Sequence, residues 1–555
     1  MRVAPIALIL LLGLGARVRA QDDPRLWIMG SNISFGSPAT LTLSSDQVGA
    51  SGLVLVGLQP LPLELPIMTG KGPFYIGLLS LLVPCGNVPA SGRIDLPFTL
   101  PGHSAVLENL HIAVQGYVGN RLTNPATIPL VDPHLLPQDA VVVLPPVPKQ
   151  AAMFGDRFAV GDFNGDDVKD LAVGAWFETV AGQLAAGRVY VMWGPTFSSF
   201  VILTPPSPAF AKSYGASVLS GDLDLDGIDD LVIGEGPGDS VSTLGHFYVF
   251  RGGSPFLGTP TQIISSAGVG ADYASFGRQA ELGDLNDDGF LDLIANVDHA
   301  TVNSVELAGR IDVYFGPELV VRHEILNPTP SAGDYFGTEL EVADVNGDGV
   351  SDLLEGSGRT DVAGQLNIGR CHVFFGPTLT THLAIECPLP DGSNTRFGDG
   401  LSAFDANGDG RSELVTRDDR DNAYIFWAPA FTTLNLVRRP RTLTDPVGPS
   451  SQFGYYFAAG DLNLDQIPDL AVSETEYGPA TGCGLNVKGG YVYVAYGPHY
   501  ATFSRLLDIV ECGTQFGWCL RYDAGELFGS PVLIAGNRGA DTAGVPGSGR
   551  VVLRR

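Results

Sequence analysis

The chain has 555 residues, of which 45% are hydrophobic and 17% are charged, and its formal net charge is −28 at pH 7. It carries no basic run that could replace the counterions of a phosphate backbone, which argues against nucleic acid or an anionic membrane surface as a partner. Its 71 glycines and 40 prolines favour short strands and turns over long helices.

Residues 1–20 have the pattern of a secretory signal peptide. A short basic start precedes the apolar stretch 4–14, and residues 18–20 offer a small-residue cleavage site. The apolar stretch is shorter than a membrane-spanning helix, and no later segment is long enough to span a bilayer. We therefore expect a secreted or cell-surface protein with no membrane span.

Residues 21–139 form a separate region of unknown function. The segments GLVLVGLQPLPLEL, FYIGLLSLLVP, GRIDLPFTL and LENLHIAVQGYV read as short strands divided by Gly and Pro. They predict a small β-sandwich-like domain. His103, His111 and His134 are not spaced as a metal set, and Asn32 opens the one glycosylation sequon.

From residue 140 onwards the chain is built from a repeat of about sixty residues. Each unit opens with an aromatic-Gly pair, whose first members are Phe154, Tyr214, Phe276, Phe336, Phe397, Phe453 and Phe516. In the first unit two apolar runs flank an acidic loop, GRVYVMWGP follows as a third strand, and FVILTPP as a fourth. Alternating apolar residues ended by Gly-Pro predict a four-stranded antiparallel sheet per unit, and this period is typical of a β-propeller.

The two ends of the repeat region complement each other. The seventh unit ends at GRVVLRR, which matches a third strand, while AVVVLPP at residues 140–146 resembles an isolated fourth strand. We therefore expect residues 140–555 to form a seven-bladed β-propeller, in which the N-terminal strand completes the last blade and removes the exposed sheet edges.

Six of the units share a nine-residue acidic loop of the form D-x-[DN]-x-D-x-x-x-[DE]. Side-chain oxygens at positions 1, 3, 5 and 9, with the main-chain carbonyl of position 7, can surround a hard divalent cation. One such loop could be an Asx-rich turn, but six copies with the same offsets favour calcium sites. The candidate ligands, five to a loop, are Asp162, Asn164, Asp166, Val168, Asp170, Asp222, Asp224, Asp226, Ile228, Asp230, Asp284, Asn286, Asp288, Phe290, Asp292, Asp344, Asn346, Asp348, Val350, Asp352, Asp405, Asn407, Asp409, Arg411, Glu413, Asp461, Asn463, Asp465, Ile467 and Asp469.

Together, the Phe-Gly pair and the acidic loop resemble the FG-GAP repeat of integrin alpha-subunit propellers. The resemblance covers about three quarters of the chain and implies seven blades, calcium between first and second strands, and a role in adhesion or extracellular recognition. The chain departs from it in places: the seventh loop, RYDAGELFGS, lacks the ligands, and Glu413 replaces the usual final Asp. Asp167 and Gln466 stand where the loop favours Gly for a positive φ, so the sixth loop should be the weakest site.

Six cysteines in an exported chain allow fifteen disulfide pairings. Cys371 and Cys387 lie almost symmetrically about the turn between the third and fourth strands of the fourth unit, and we expect them to be bonded. Cys512 and Cys519 flank the seventh Phe-Gly pair as a second candidate pair, with Cys483 as a competing partner, and Cys85 has no assigned partner. The alternative is that all six are buried thiols.

Two classes of function fit this organisation. The first is a non-catalytic scaffold with up to six Ca²⁺ that recognises or adheres to an extracellular protein or glycan. The second is an exported propeller enzyme, such as a polysaccharide lyase or a phospholipase-like hydrolase. An acid-base pair, a Ser-His-Asp set or a catalytic zinc cluster would support the enzyme, and none stands out among the nine histidines. We therefore expect no enzymatic activity.

The loops opposite the acidic loops are the predicted recognition face. Strand alternation places the loops between second and third strands, and those before each Phe-Gly pair, at the end away from the acidic loops. Loops on a rigid scaffold commonly carry recognition. These loops contain Trp176, Phe177, Asp298, His299, Arg359, Asp361, the run RDDRD at 417–421, Glu474 and Tyr477.

Overall fold

The computed structural model describes residues 140–554 except 237–243, 267–270, 274, 391, 393, 440–451, 478–488, 499, 501–502, 507–515, 524–526, 528–530 and 541–547. Within residues 1–139 it describes the backbone of ten strands, so the predicted signal peptide and Asn32 lie outside the described residues. The chain divides into two compact units, Met1–Gln138 and Asp139–Arg555. The described part is nearly all β, with one short 3-10 helix at Ala271–Tyr273, and it holds no helix long and apolar enough to cross a membrane.

The first unit consists of antiparallel strands in three sheets. Its strands are β1 (Arg25–Met29), β2 (Pro38–Ser44), β3 (Ser51–Pro60), β4 (Pro66–Thr69), β5 (Gly72–Tyr75), β6 (Leu79–Asn87), β7 (Arg93–Thr99), β8 (Leu110–Val118), β9 (Arg121–Leu122) and β10 (Ala126–Pro129). Their order is β1-β2-β7, then β10-β8-β3-β6 with β9 on β8, then β4-β5. Strands lie in all four segments that the sequence indicated, and a sandwich arrangement of these sheets stays a prediction.

The second unit contains seven four-stranded antiparallel sheets, or blades, in a propeller. Blades 1 to 3 comprise β12 (Phe158–Gly161), β13 (Asp170–Ala175), β14 (Arg188–Met192), β15 (Phe200–Leu203), β16 (Ser217–Gly221), β17 (Asp230–Glu235), β18 (His246–Phe250), β19 (Gln262–Ser265), β20 (Ala280–Gly283), β21 (Asp292–Val297), β22 (Arg310–Tyr314) and β23 (Arg322–Leu326). Blades 4 to 6 comprise β24 (Glu339–Ala343), β25 (Asp352–Ser357), β26 (Arg370–Phe374), β27 (His382–Glu386), β28 (Leu401–Phe404), β29 (Glu413–Asp418), β30 (Asn422–Phe426), β31 (Leu434–Arg438), β32 (Phe453–Gly460), β33 (Asp469–Tyr477), β34 (Gly489–Ala495) and β35 (Phe503–Leu506). The predicted all-β, seven-bladed fold is confirmed.

Blade 7 combines the two ends of the propeller. It comprises β36 (Phe516–Asp523), β37 (Val532–Asn537), β38 (Arg550–Arg554) and, as its outermost strand, β11 (Ala140–Val143). Val143 lies opposite Val551 in the antiparallel register of β11 and β38. The predicted completion of the last blade by the N-terminal strand is therefore confirmed.

The hydrophobic core of the propeller lies between the blades. Among the described residues seven buried clusters occur, and each combines residues of two neighbouring blades, including blade 7 with blade 1. The aromatic member of each Phe-Gly pair is buried in blades 1 to 6. In blade 1, for example, Phe154 packs edge-on against Tyr190 with ring centroids 5.6 Å apart. The aromatic residue of the repeat thus belongs to the packing that joins the blades.

Blade 7 joins blade 1 through the same backbone contact that joins other neighbours. Phe154 forms a parallel bridge with Gly549, as Tyr214 does with Gly187 and Phe336 with Gly309. A Cβ added at Gly549 would lie 2.0 Å from the carbonyl oxygen of Phe154, and its φ of 85° also favours glycine. The ring is therefore closed by blade packing as well as by the β11–β38 strand pair.

The first strands of the blades surround a central axis. Those of blades 1 to 7 contact one another in sequence, from β12 and β16 through to β32 and β36. Glu281 of blade 3 interacts electrostatically with Arg157 of blade 1 and Arg521 of blade 7, which places all three side chains around that axis. Two further carboxylates, Glu339 and Glu341, extend from β24 of blade 4.

The expected disulfide between Cys371 and Cys387 is not formed, because both thiols are free and buried. Cys371 lies opposite Ile385, so Cys387 is its diagonal neighbour across the strand pair. Diagonal neighbours are about 7–8 Å apart, whereas the Cα atoms of a disulfide are about 4.4–6.8 Å apart. Cys519 is also a free thiol. The side chains of Cys85, Cys483 and Cys512 lie outside the described part of the chain.

Candidate metal loops

All six acidic loops lie at the same end of their blades. Each connects the first strand of a blade to the second, as the loop of blade 1 does between Gly161 at the end of β12 and Asp170 at the start of β13. Position 9 of each loop is the first residue of the second strand. The thirty candidate ligands are therefore grouped, five to a blade, on one face of the propeller.

The main chain of each loop is organised by its own carboxylates. In all six loops the carboxylate at position 1 accepts the backbone N–H of position 6 at 2.7–2.9 Å. The carboxylate at position 5 accepts the N–H of position 7 at 2.9–3.0 Å. Since these bonds recur at the same offsets, the loops share one conformation, including the sixth.

Two positions in each loop have left-handed backbone conformations. At position 6, Asp167 has φ 63° and Gln466 has φ 69°, as expected for the residues that replace glycine there. The sequence analysis did not identify position 4, where the chain is also left-handed. The residues at position 4 are Gly165, Leu225, Asp287, Gly347, Gly408 and Leu464. Glycine at three of these six positions was the signal available in the sequence.

The position 9 carboxylate is buried in all six loops. One of its oxygens accepts the N–H of position 2 at 2.6–3.1 Å. The other accepts, in five loops, the N–H of the glycine that follows the third strand, at 2.8–3.1 Å. Burial disfavours the charged form and raises the pKa of Asp170, Asp292 and Asp352 to about 6 and that of Glu413 and Asp469 to about 7.

The donor set of the loops fits a hard divalent cation. Every side-chain donor at positions 1, 3, 5 and 9 is a carboxylate or amide oxygen, the type of ligand that calcium prefers. In the second loop Asp222, Asp224 and Asp226 each bring a carboxylate oxygen within 4.8 Å of the others. A bound cation would offset the charge of the position 9 carboxylate, whose pKa is raised by burial.

The opposite face contains the predicted recognition loops, and Asp156 organises part of it. The indole N–H of Trp176 donates to Asp156 at 2.8 Å, and the guanidinium of Arg538 lies 2.9 Å from the same carboxylate. Trp176 also contacts Phe177 edge-on at 5.3 Å. Both aromatic side chains are half-buried, so they are partly accessible at this face.

A second group on this face centres on Tyr335. The guanidinium of Arg359 lies 4.6 Å from the Tyr335 ring centroid, and the ring of His299 lies 5.2 Å from it. His299 is also 2.7 Å from the buried Asp298. Arg359 is exposed and therefore available to a partner.

Several predicted recognition residues are buried, and for them the prediction was wrong. Glu474 is fully buried, and it accepts the hydroxyl of Tyr493 at 2.9 Å. Arg417 and Asp418 are 2% and 0% exposed, and Asp418 accepts the hydroxyl of Tyr424 at 2.6 Å. Because the second strand continues through these positions, their side chains enter the packing between blades. The side chain of Tyr477 lies outside the described residues.

A serine, a histidine and a glutamate meet in blade 4, but their hydrogen bonds are not those of a catalytic triad. Ser357 and His372 both bond Glu355, the imidazole Nδ1 at 2.9 Å. A triad requires the serine to bond the imidazole, and all three side chains here are at most 2% exposed. This group is a buried polar network of the blade.

Parts of this chain are similar to a family model and to known proteins. A family model of the FG-GAP repeat matches residues 154–192. Integrin alpha-5 of Xenopus laevis is 33% identical over 147 residues, covering 25% of this chain and 13% of that protein. Integrin alpha-IIb of Mus musculus is 30% identical over 190 residues, covering 33% of this chain and 18% of that protein.

A relative of another class matches as well. Phosphatidylinositol-glycan-specific phospholipase D of Dictyostelium discoideum is 28% identical over 185 residues, covering 29% of this chain and 19% of that protein. The chain thus spans less than a fifth of each of these three relatives. A solved structure, "Structure of Dos1 propeller", is 11% identical and covers 81% of this chain and 92% of that one, with a TM-score of 0.32, too low to add to the argument.

Proposed function

Because the chain is a seven-bladed propeller, residues 154–192 match the FG-GAP repeat and the chain is similar to integrin alpha chains, we propose that it is a secreted, calcium-binding and non-catalytic scaffold that recognises an extracellular protein or glycan. Residues 1–20 would be its signal peptide, 21–139 a separate domain and 140–555 the propeller. The observation that carries the proposal is that the two faces of the propeller have different kinds of loop. Acidic loops of one conformation occupy one face, and varied polar and aromatic loops occupy the other.

Calcium is the proposed cofactor of the acidic loops, with up to six ions. The ligands would be the thirty residues at positions 1, 3, 5, 7 and 9. Several flexible oxygen ligands suit calcium better than magnesium, which demands a near-octahedral arrangement. Extracellular calcium is millimolar, so even weak loops would be occupied there.

Metal analysis and thermal unfolding test the calcium proposal. A cation bound only by the folded chain stabilises it by about 1.4 kcal/mol per site at tenfold saturation. EDTA should therefore lower the Tm by many degrees, and calcium should restore it better than magnesium. Fewer than three ions per chain in millimolar calcium would mean that the loops are acidic turns and not metal sites.

The recognition site is proposed to lie on the face opposite the metal loops. The half-buried pair Trp176 and Phe177 and the exposed Arg359 offer aromatic surface and positive charge to a partner. Aromatic and arginine side chains supply much of the binding energy at protein interfaces.

Matched variants of the two faces test this assignment. Trp176→Ala with Phe177→Ala should abolish capture of the partner from native surroundings, with a modest loss of Tm because the bond to Asp156 is removed. Leu225→Ala with Leu464→Ala, two exposed residues of the metal face, should leave capture unchanged. Normal capture by the first variant, or loss of capture only in the second, would contradict the assignment.

An enzymatic function is the second candidate, and the similarity to a phospholipase D supports it. The match covers 29% of this chain, and the Ser357, His372 and Glu355 group is buried. A panel of phospholipid, glycan and ester substrates with added calcium distinguishes the two candidates. Turnover that is lost on mutation of a described residue would replace the scaffold by an enzyme.

A further inference from the structure

Blade 2 differs from the other calcium-loop blades at the residue after its third strand. That residue is aromatic in the other five, namely Trp193, Phe315, Phe375, Trp427 and Tyr496, whereas blade 2 carries Arg251. The same blade differs at loop position 3, where Asp224 replaces the asparagine of the other five loops. Two departures from the repeat thus occur together in one blade.

The guanidinium of Arg251 lies within the second loop. Its Nη1 is 2.5 Å from Oδ2 of Asp230 at position 9 and 3.5 Å from Oδ2 of Asp224 at position 3. Asp230 is 1% exposed, so the ion pair is largely shielded from water. Among the described residues, Arg251 is the one basic side chain within ion-pair distance of a position 9 carboxylate.

Arg251 also donates to an oxygen of Asp230 that a bound metal ion would use as a ligand. Oδ2 of Asp230 accepts both the N–H of Leu223 at 3.0 Å and Arg251, and Oδ1 accepts the N–H of Gly252 at 2.8 Å. The position 9 carboxylates of blades 1, 4 and 5 also accept an extra donor, the neutral amide of position 3, at 3.2–3.5 Å. In blade 2 the extra donor is instead a charged guanidinium at 2.5 Å, and it contacts two of the predicted metal ligands of the loop, Asp230 and Asp224.

From this geometry we propose that Arg251 supplies in blade 2 the positive charge that calcium supplies in the other loops, so that the acidic loop of blade 2 is stabilised without a metal ion. The carboxylates of Asp222, Asp224 and Asp226, which lie within 4.8 Å of one another, are the group in this loop that a cation would otherwise neutralise, and the same guanidinium offsets the additional charge of Asp224. The inference rests on the proposed calcium binding of the other loops, and it limits the chain to five ions.

Calcium stoichiometry by equilibrium dialysis with metal analysis tests the inference on the full chain. Arg251→Gln removes the charge and should raise the number of bound ions by one. Arg251→Lys keeps the charge and should leave the number unchanged. In the reverse direction, Phe375→Arg in blade 4 should lower the number by one. Equal numbers in the wild-type chain and Arg251→Gln would overturn the inference.

A second measurement separates this inference from the calcium proposal itself. In EDTA, Arg251→Gln should lower the Tm by several degrees relative to the wild-type chain, because it leaves Asp230 buried without its partner. If the chain binds no calcium but Arg251→Gln still lowers the Tm in EDTA, the calcium proposal is refuted and the role of Arg251 stands. An unchanged Tm in EDTA would overturn the arginine assignment whether or not the other loops bind calcium.

Discussion

At the scale of single residues, the acidic loops differ in the strain of their backbones. Position 4 and position 6 are both left-handed, and loops 4 and 5 have glycine at both. Loop 6 has Leu464 with φ 64° and Gln466 with φ 69°. A left-handed conformation costs a non-glycine residue about 1 kcal/mol or more. Loop 6 therefore holds two strained residues, whereas loops 1, 2 and 3 hold one each.

Gln466→Gly should relieve one of these strains and stabilise the calcium-loaded protein by up to about 1 kcal/mol. The matched control is Gly349→Gln, which introduces the same side chain at position 6 of loop 4, where φ is 87°, and should destabilise by a similar amount. Urea unfolding in millimolar calcium measures both. Equal stabilities of the wild-type chain and the two variants would show that these positions are not strained.

The sequence was sufficient to place the acidic loops between first and second strands but not to predict every detail of their conformation. The left-handed backbone at position 6 could be predicted because four of the six loops have glycine there, so Asp167 and Gln466 stand out as exceptions. Position 4 is glycine in three loops, and Leu225 and Leu464 conceal the same conformation in two others. The contact of Arg251 with Asp230 could not be predicted, because it depends on a side chain 21 residues away in the sequence.

At the scale of elements, the first strands bring carboxylates together around the axis. Burial raises the pKa of Glu281 and Glu339 to about 7, and it raises the pKa of Glu341 as well. The Asp399 carboxylate adds to the effect on Glu339. A glutamate in an unfolded chain has a pKa of about 4.3, so between about pH 4.3 and pH 7 the folded protein binds more protons than the unfolded one. The stability that these glutamates contribute is present below about pH 4.3 and is lost as the pH rises through about 7.

Glu339→Gln should flatten this dependence and raise the free energy of unfolding at pH 8 by on the order of 1 kcal/mol, since the half-buried position of Glu339 lessens the effect of burial. Thermal unfolding from pH 4.5 to 8 in EDTA is the measurement. Glu318→Gln, at an exposed glutamate, should leave the pH profile unchanged. If Glu339→Gln has the same profile as the wild-type chain, the charge of Glu339 near the axis carries no free-energy cost.

Sequence patterns identified the blade strands more completely than those of the first unit. In the propeller, apolar alternation recurs from blade to blade and a Gly-Pro ending recurs in four of them, so the copies support one another. In the first unit β1 and β2 occur once each and were not predicted. The sequence also did not predict that Glu474 and Asp418 are buried. Their charges suggest exposed loop residues, and their hydrogen bonds to Tyr493 and Tyr424 are evident only in the structure.

At the scale of the whole molecule, ring closure depends on a short segment. A chain that begins at residue 140 keeps β11, and a chain that begins at residue 147 lacks it. The longer chain should be soluble, with a single cooperative transition. The shorter one should expose β38 as a sheet edge, and it should aggregate because an unpaired edge is a template for association.

Light scattering and thermal unfolding compare these two chains directly. Restoring residues 140–146 with Val141 and Val143 changed to Lys is a control for length, because it keeps the backbone of the strand and removes two of its apolar side chains. This control should rescue the protein only in part, since Val143 belongs to the core between blades 7 and 1. Equal solubility of the 140 and 147 chains would refute the role assigned to β11.

The closure of the ring could be predicted because the repeats can be counted. Seven Phe-Gly units and one additional strand leave a single arrangement without an unpaired edge. The axial cluster could not be predicted in the same way, since Glu281, Arg157 and Arg521 belong to three different blades. Their proximity follows from the radius of the ring and not from any spacing along the chain.

The pairing of β11 with β38 also determines when the propeller can be finished. Val143 is among the first propeller residues to leave the ribosome, and its neighbour Val551 is among the last. Contacts between residues so distant in sequence form slowly, because a long loop must be ordered before they are made. Six blades can form from local hairpins during synthesis, whereas the seventh must await the synthesis of β38. Until then, β11 is the segment of the nascent propeller that most needs protection from other chains.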